Sequence, residues 1–87
     1  MTRELYVTRS FERSFKRLPK RIQDEAFEKL ALYLDKPSHP SLRAKRIKGT
    51  EGIWELSVTM NYRVTFEVDG NSIVLRQIGT HNVLRKP

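Results

Sequence analysis

The stretch that decides the fold is WELSVTMNYRVTFEVDGNSIVLRQI, residues 54–78. Up to Val68 it alternates apolar and polar residues with a period of two. Successive side chains of a β-strand point to opposite faces of a sheet. The alternation therefore predicts two strands, each with one apolar and one polar face.

A tight turn at Met60-Asn61-Tyr62 would join these two strands into a hairpin. With this turn, Thr59 lies opposite Arg63 and Ser57 lies opposite Thr65, so that like faces stay together. We expect the polar face that carries these four residues to be open to solvent or to a ligand.

A third strand follows the turn signal Asp69-Gly70. After Ser72, residues 73–78 are apolar except Arg76 and Gln77, which predicts for 72–78 a strand that is buried on both faces. The sequence Gly79-Thr80-His81-Asn82 ends this strand.

The residues before this sheet have a helical period. Apolar residues recur at three- and four-residue steps between Phe11 and Leu34. The proline in Leu18-Pro19 interrupts the pattern, because proline fits only the first turn of a helix. We therefore predict two helices, over 9–17 and 19–35, packed as an antiparallel pair.

Shorter segments complete the predicted order. Thr8 or Ser10 would cap the first helix. Residues 5–7 suit an edge strand, residues 35–40 a loop, and the basic residues 43–48 a short strand that ends at Gly49. The expected fold is α+β, with two N-terminal helices packed on a small, mostly antiparallel sheet.

The composition limits the kind of protein. The chain has 87 residues, a formal net charge of +7 and no cysteine. We expect a single domain over residues 1–87, with a thin core and a shallow surface site. The absence of cysteine excludes disulfides, thiolate zinc sites and cysteine nucleophiles. We find no membrane span and no signal peptide in the sequence, so we expect a cytoplasmic protein.

The positive charge favours a polyanion or an acidic protein as partner. It is concentrated in two clusters, which could also be ordinary solvated faces. The first comprises Lys16, Arg17, Lys20 and Arg21, and the second Arg43, Lys45, Arg46 and Lys48.

Two single residues are candidates for chemistry. Arg63 lies on the polar face of its strand, where it either pairs with Glu55 or Glu67 or clamps a phosphate with its forked donors. His81 follows the third strand, where its imidazole could transfer protons near neutral pH, although a lone histidine can also be idle.

Other kinds of site are not favoured. The two histidines, His39 and His81, lack the spacing and the neighbouring carboxylates of a metal site. Glu55 and Glu67 could face each other across strands, but a glycosidase pair is not expected in so small a domain.

The segments "IKGTEGIWEL", "YRVTFEV" and "IGTH" resemble the RelE/ParE-type toxins of bacterial toxin–antitoxin systems, and the resemblance covers nearly the whole chain. It implies the same α+β fold. The ribonuclease branch of that family cuts messenger RNA without metal, usually on the ribosome. The resemblance therefore implies an mRNA interferase with no cofactor.

The resemblance assigns roles to particular residues. Arg63 matches the arginine of the "YR" motif, and His81 matches a catalytic position that is histidine in YafQ-type members. The implied mechanism is attack of a ribose 2′-OH on its own 3′-phosphate, with Arg63 on the phosphate and His81 as acid or base. Lys45, Glu55 or His39 would provide the second proton-transfer group.

Further cations would hold RNA phosphates by charge. These are Arg43, Lys45, Arg46, Lys48, Arg76 and Arg85. Trp54 and Tyr62 are expected in the core, although Tyr62 could also stack on a base.

Some family features are missing. RelE has two lysines where this chain has Glu55 and Ser57, and the strand histidine and aspartate of YafQ fall near Ser57 and Asn61. A gyrase-inhibiting toxin of the ParE branch, or a binding module without activity, therefore remains an alternative. If the protein is a toxin, we expect an antitoxin partner that forms a hetero-oligomer with this chain and neutralises it with an acidic segment. Messenger RNA and the ribosome are the other expected partners.

Overall fold

A computed structural model describes residues 3–87, so that Met1 and Thr2 of the amino-terminal stretch lie outside the described residues. It confirms the α+β class, with two helices on a five-stranded sheet. The elements are β1 (Glu4–Val7), α1 (Arg9–Lys16), α2 (Lys20–Asp35), a 3₁₀ helix (Pro40–Leu42), β2 (Lys45–Arg46), β3 (Ile53–Ser57), β4 (Tyr62–Asp69), β5 (Ser72–Thr80) and a second 3₁₀ helix (His81–Leu84).

The sheet has the strand order β1-β5-β4-β3-β2. Strands β2 to β5 pair antiparallel, whereas β1 pairs parallel with β5 at the edge. A parallel pair needs a long connection between its strands, and here α1, α2 and the rest of the sheet provide it. The prediction of a mostly antiparallel sheet is confirmed.

The register of the β3–β4 hairpin differs from the predicted one. Ser57 lies opposite Arg63 and Glu55 lies opposite Thr65, so the pairing is displaced by two residues. The turn is longer than predicted, because β3 ends at Ser57 and β4 begins at Tyr62. A displacement of two residues leaves every side chain on its predicted face.

Strand β5 is not buried on both faces as predicted. Ile73, Leu75 and Ile78 are buried, and the residues between them are partly exposed. The pairing with β4 is irregular at Thr65, which faces Gln77, while the next residue, Phe66, faces Leu75. Arg76 is the residue of β5 that has no register partner on β4, so the strand has a β-bulge there. The bulge lies where Arg76 and Gln77, two polar residues, interrupt the apolar run.

The core lies between the helices and the sheet. Phe66 is fully buried and meets the ring of Tyr33 edge-on, at 5.0 Å between centroids. Burial raises the pKa of the Tyr33 hydroxyl above its ordinary value. Trp54 and Tyr62 pack against this core, as predicted.

Local signals set the ends of the helices. Thr8, and not Ser10, caps α1, because its Oγ1 accepts a hydrogen bond from the Phe11 amide at 3.1 Å. Pro19 directly precedes α2. No helix within residues 3–87 is both long enough and apolar enough to cross a bilayer.

Candidate active site and nucleic-acid interface

Arg63 lies at the start of β4, where its guanidinium fastens the β3–β4 turn. Nη1 donates to the carbonyl oxygens of Thr59 at 2.7 Å, Met60 at 2.9 Å and Tyr62 at 3.1 Å. The side chain is 13% exposed. Arg63 therefore fixes the turn in addition to any contact with a ligand.

Two carboxylates, Glu55 and Glu67, were predicted as possible ion-pair partners of Arg63, and the structure pairs it with Glu55. The guanidinium Nε lies 3.7 Å from Oε1 of Glu55, a side chain that is also nearly buried. Glu67 pairs instead with Arg76, at 2.7 Å. Glu55 and Glu67 do not face each other, because Glu67 lies opposite Ile53.

Two nitrogens of the guanidinium, Nε and Nη2, remain for a ligand, because Nε is 3.7 Å from Oε1 of Glu55, which is beyond hydrogen-bond distance. Nη2 of Arg63 makes no hydrogen bond with residues 3–87. No fully buried side-chain nitrogen in this range lacks a partner, so Nη2 must reach solvent. A phosphate could therefore meet Nη2 alone, or Nη2 and Nε together as a fork if it displaces Glu55 from Nε, while Nη1 stays on the turn.

The polar face of the sheet is not open, and that prediction is wrong. Ser57 and Thr65 are buried. The second 3₁₀ helix packs on β4 and β5, and the chain then returns across the sheet. Thr65 Oγ1 and Arg76 Nε donate to the Pro87 carbonyl oxygen at 3.1 and 3.0 Å. The chain itself therefore covers much of the face that we expected to hold a ligand.

His81 is exposed and begins the second 3₁₀ helix. It follows Thr80, whose partner on β4 is Tyr62, and Gly79 lies opposite Arg63. Paired strands lie about 5 Å apart, so the backbones that carry Arg63 and His81 meet at one end of the sheet.

Gly79 controls how closely the second 3₁₀ helix approaches β5. A Cβ at this position would lie 2.9 Å from Cγ1 of Val83. We expect Gly79→Ala to push this helix away and to displace His81, which NMR would detect as a shifted imidazole resonance. A displacement of about 1 Å can slow catalysis by up to about 10²-fold.

Adding Val83→Ala to Gly79→Ala restores the missing space and provides the matched control. The double variant should recover the wild-type imidazole resonance. If Gly79→Ala alone left that resonance unchanged, the close packing would not position His81.

The other proton-transfer candidates lie in different surroundings. His39 precedes the first 3₁₀ helix, where its Nδ1 accepts a hydrogen bond from the Ser41 amide at 3.2 Å. Lys45 is exposed on β2 and lies opposite Glu55. Glu55 is the one candidate within residues 3–87 that contacts Arg63.

Most of the predicted phosphate-binding cations are on the surface. Arg43, Lys45, Arg46, Lys48 and Arg85 are exposed. Arg46 lies over the Trp54 ring, with its guanidinium carbon 5.5 Å from the ring centroid, an arrangement that favours a cation. Arg76 is committed to Glu67 and to the Pro87 carbonyl oxygen.

Sequence reasoning missed an apolar groove on the helical side of the molecule. It has a volume of about 330 Å³, and its lining includes Leu5, Val7, Phe15, Phe27 and Leu34. Phe27 is 64% exposed although it lies on an otherwise amphipathic helix. The available signal was that Phe27 directly follows Ala26 and so lies off the helix face on which the apolar residues recur.

No group of three or more histidine, cysteine or acidic side chains within residues 3–87 is arranged as metal ligands.

The fold matches solved toxin structures. A chain of the RelB–RelE antitoxin–toxin complex from Methanococcus jannaschii has a TM-score of 0.74 at 21% identity, over 93% of this chain and 95% of that one. YafQ from Escherichia coli has a TM-score of 0.79 at 14% identity, over 94% and 97%. The YoeB/ParE toxin from Agrobacterium tumefaciens has a TM-score of 0.76 at 19% identity, over 90% and 98%. At these identities the likeness establishes the fold alone.

The sequence comparisons supply the family. A search of curated protein sequences finds no significant match. Residues 20–83 match the family profile described as the ParE-like toxin domain. This match spans well over half of the chain and confirms the resemblance to RelE/ParE-type toxins. The chain therefore belongs to the ParE-like toxin domain family.

Proposed function

We propose that this protein is a toxin that cleaves messenger RNA without a metal ion and that an antitoxin neutralises it. The observation that carries the proposal is that Arg63 on β4 pairs with Gly79 of β5, two residues before His81. A guanidinium on β4 and an imidazole that directly follows β5 suit a phosphodiester, since one stabilises negative charge and the other transfers a proton.

In the proposed reaction the ribose 2′-oxygen attacks the neighbouring phosphorus and loses its proton to a base. The bond from phosphorus to the 5′-oxygen breaks, and that oxygen takes a proton from an acid. The products are a 2′,3′-cyclic phosphate and a free 5′-hydroxyl. No oxidant, reductant or second substrate is required.

Arg63 would stabilise the negative charge that develops on the phosphate. Its side chain is 13% exposed and its Nη1 is held by the turn, so the donor is fixed before the RNA arrives. Fixed donors with little surrounding water are the most effective electrostatic catalysts. In this arrangement Nη2, with Nε beside it, makes the contact while Nη1 stays on the turn.

His81 would give the leaving 5′-oxygen its proton, and Glu55 would accept the proton of the 2′-hydroxyl. An ionised carboxylate can only accept protons, which suits the base, and imidazole is able to donate near neutral pH. Glu55 contacts Arg63 directly. His39 is engaged with Ser41 and Lys45 is on the edge strand, so we place neither in the reacting pair.

The exposed cations around β2 would hold the RNA strand. Contacts between cations and phosphates give affinity without sequence preference, and they weaken as salt is added. If the ribosome holds the message in place, it supplies part of the orientation that a small domain cannot.

The antitoxin would contribute acidic and apolar residues to the complex. The chain has a net charge of +7, and its apolar groove exposes Leu5, Val7 and Phe27. A segment that is disordered when free, and that folds into this groove, would match both features. Solved relatives include the DinJ–YafQ toxin–antitoxin complex of Escherichia coli.

Brief induction of the protein, followed by primer extension on a defined messenger RNA, tests the proposal. We expect growth arrest and new 5′ ends within coding sequence for the wild type, and no new ends for Arg63→Ala. Because Arg63 also fastens the turn, Arg63→Lys is the paired variant, and circular dichroism checks that both variants are folded. Intact messenger RNA together with blocked DNA supercoiling would identify a gyrase inhibitor and overturn the proposal.

A further inference from the structure

A second surface pocket, with a volume of about 380 Å³, lies beside the β3–β4 turn. Helix α2, the first 3₁₀ helix and the turn form it together. Its polar lining consists of Lys29, Ser41, Arg43, Ser57 and Thr59, and Met60 closes one side.

The pocket is positively charged and has no internal counter-ion. Neither Lys29 nor Arg43 makes an ion pair or a side-chain hydrogen bond with any residue from 3 to 87. No carboxylate lines the pocket. Two cations beside hydroxyl groups, without a carboxylate, suit an oxyanion.

Arg43 has an unusual backbone in addition to its free charge. Its φ is 48° and its ψ is 40°, and within residues 3–87 no other residue besides glycine has a positive φ. The left-handed region is unfavourable for a residue with a Cβ, and such residues cluster at ligand sites. Arg43 is the C-cap of the first 3₁₀ helix, a position where left-handed residues are common, and there it lines the pocket.

The pocket adjoins the proposed reaction site. Thr59 and Met60 line it, and their carbonyl oxygens accept hydrogen bonds from Nη1 of Arg63. Ser57, which also lines it, lies opposite Arg63 in the sheet. A strand of RNA whose phosphate meets Arg63 would therefore pass close to Lys29 and Arg43.

We propose that this pocket binds one RNA phosphate next to the phosphate that Arg63 contacts, with Lys29 and Arg43 as its cations. The proposal rests on the proposed function in assigning RNA as the ligand. It adds a substrate-positioning site, of which Lys29 is a residue that the sequence did not indicate.

The test measures RNA binding apart from cleavage. A fluorescent single-stranded RNA with 2′-O-methyl groups cannot undergo 2′-OH attack, so its anisotropy reports binding alone. The test variant carries Lys29→Gln and Arg43→Asn, because asparagine tolerates the left-handed backbone. The control variant, Arg9→Gln with Arg13→Gln, removes the same charge from exposed positions on α1, outside the pocket and both basic clusters.

We expect the slope of log K against log salt to become shallower by about 0.7 in the test variant, as for one lost phosphate contact on a single strand, and to stay unchanged in the control. The same assay with vacant ribosomes separates two sources of the phosphate. A change with the oligonucleotide supports a phosphate of the message, whereas a change with ribosomes alone would assign the pocket to ribosomal RNA and would contradict its place beside the phosphate at Arg63.

The proposal would be overturned if the wild type and the test variant had equal slopes, or if the slope changed equally in the test and control variants. It would also be overturned if the wild type did not bind RNA, or if the test variant lost antitoxin affinity without a change in RNA binding. The last result would make the pocket a site for an acidic peptide. Failure of cleavage by the wild type, with the expected change in slope, would overturn the nuclease proposal and leave the pocket in place.

Discussion

His81→Ala is expected to slow RNA cleavage by about 10²–10⁴-fold, the range typical of a lost general acid. The imidazole is exposed at the end of β5, so its removal leaves no cavity and no unpaired buried group. The measurement is single-turnover cleavage of a message by the purified protein, with ribosomes present.

His39→Ala is the matched control, since it removes the other imidazole of the chain. His39 interacts with Ser41 and lies outside the proposed reacting pair, so this variant should cleave at nearly the wild-type rate. Equal losses in the two variants would mean that neither histidine has a specific role.

Phe66→Ala is expected to lower the free energy of unfolding by about 3–5 kcal/mol. The ring is fully buried and meets Tyr33 edge-on, so its removal leaves a cavity between α2 and the sheet. Small domains have a total stability of about 5–15 kcal/mol, and the loss would be a large share of it. Urea unfolding followed by Trp54 fluorescence measures the effect.

Phe27→Ala makes the same chemical change on the surface. Phe27 is 64% exposed and retains one edge-on contact with Phe15, at 5.3 Å between centroids. The expected loss is below about 1.5 kcal/mol, the range of a single aromatic pair. Similar losses for Phe66→Ala and Phe27→Ala would contradict the position of the core.

The regular part of the fold could be predicted because periodicity reports burial directly. The alternation from Trp54 to Val68 and the apolar steps from Phe11 to Leu34 each mark the face that packs on the core. The register of β3 with β4 could not be predicted to the residue. Displacements by two residues preserve the faces, so alternation alone cannot distinguish between them.

The surroundings of the candidate site were harder to predict. The contacts that Thr65 and Arg76 make with Pro87 join residues far apart in sequence. A tail without a hydrophobic period carries no signal that it will fold back over a sheet. The hydrogen bonds from Nη1 of Arg63 were equally hard to predict, because no pattern in the sequence indicates that an arginine will donate to the carbonyl oxygens of a turn.

The predicted ion pairing of Arg63 was confirmed for one of its two possible partners. Its pairing with Glu55 was one of the alternatives that the strand pattern offered, and the structure has it. Glu67 was the other alternative, and the bulge at Arg76 places a guanidinium beside it instead. Glu67 lies four residues from Arg63 on the same strand, about 13 Å away. Glu55 lies opposite Thr65, two residues from Arg63, so the register of β3 with β4 decides which carboxylate contacts Arg63.

The most direct test of the central claim uses an RNA in which sulfur replaces the bridging 5′-oxygen at the cleaved bond. A thiolate leaves without needing a proton, so the loss of a general acid should no longer matter. We predict that His81→Ala cleaves this RNA at nearly the wild-type rate, although it cleaves normal RNA about 10²–10⁴-fold more slowly. An equally large defect on both RNAs would contradict the assignment of His81 as the group that protonates the leaving oxygen.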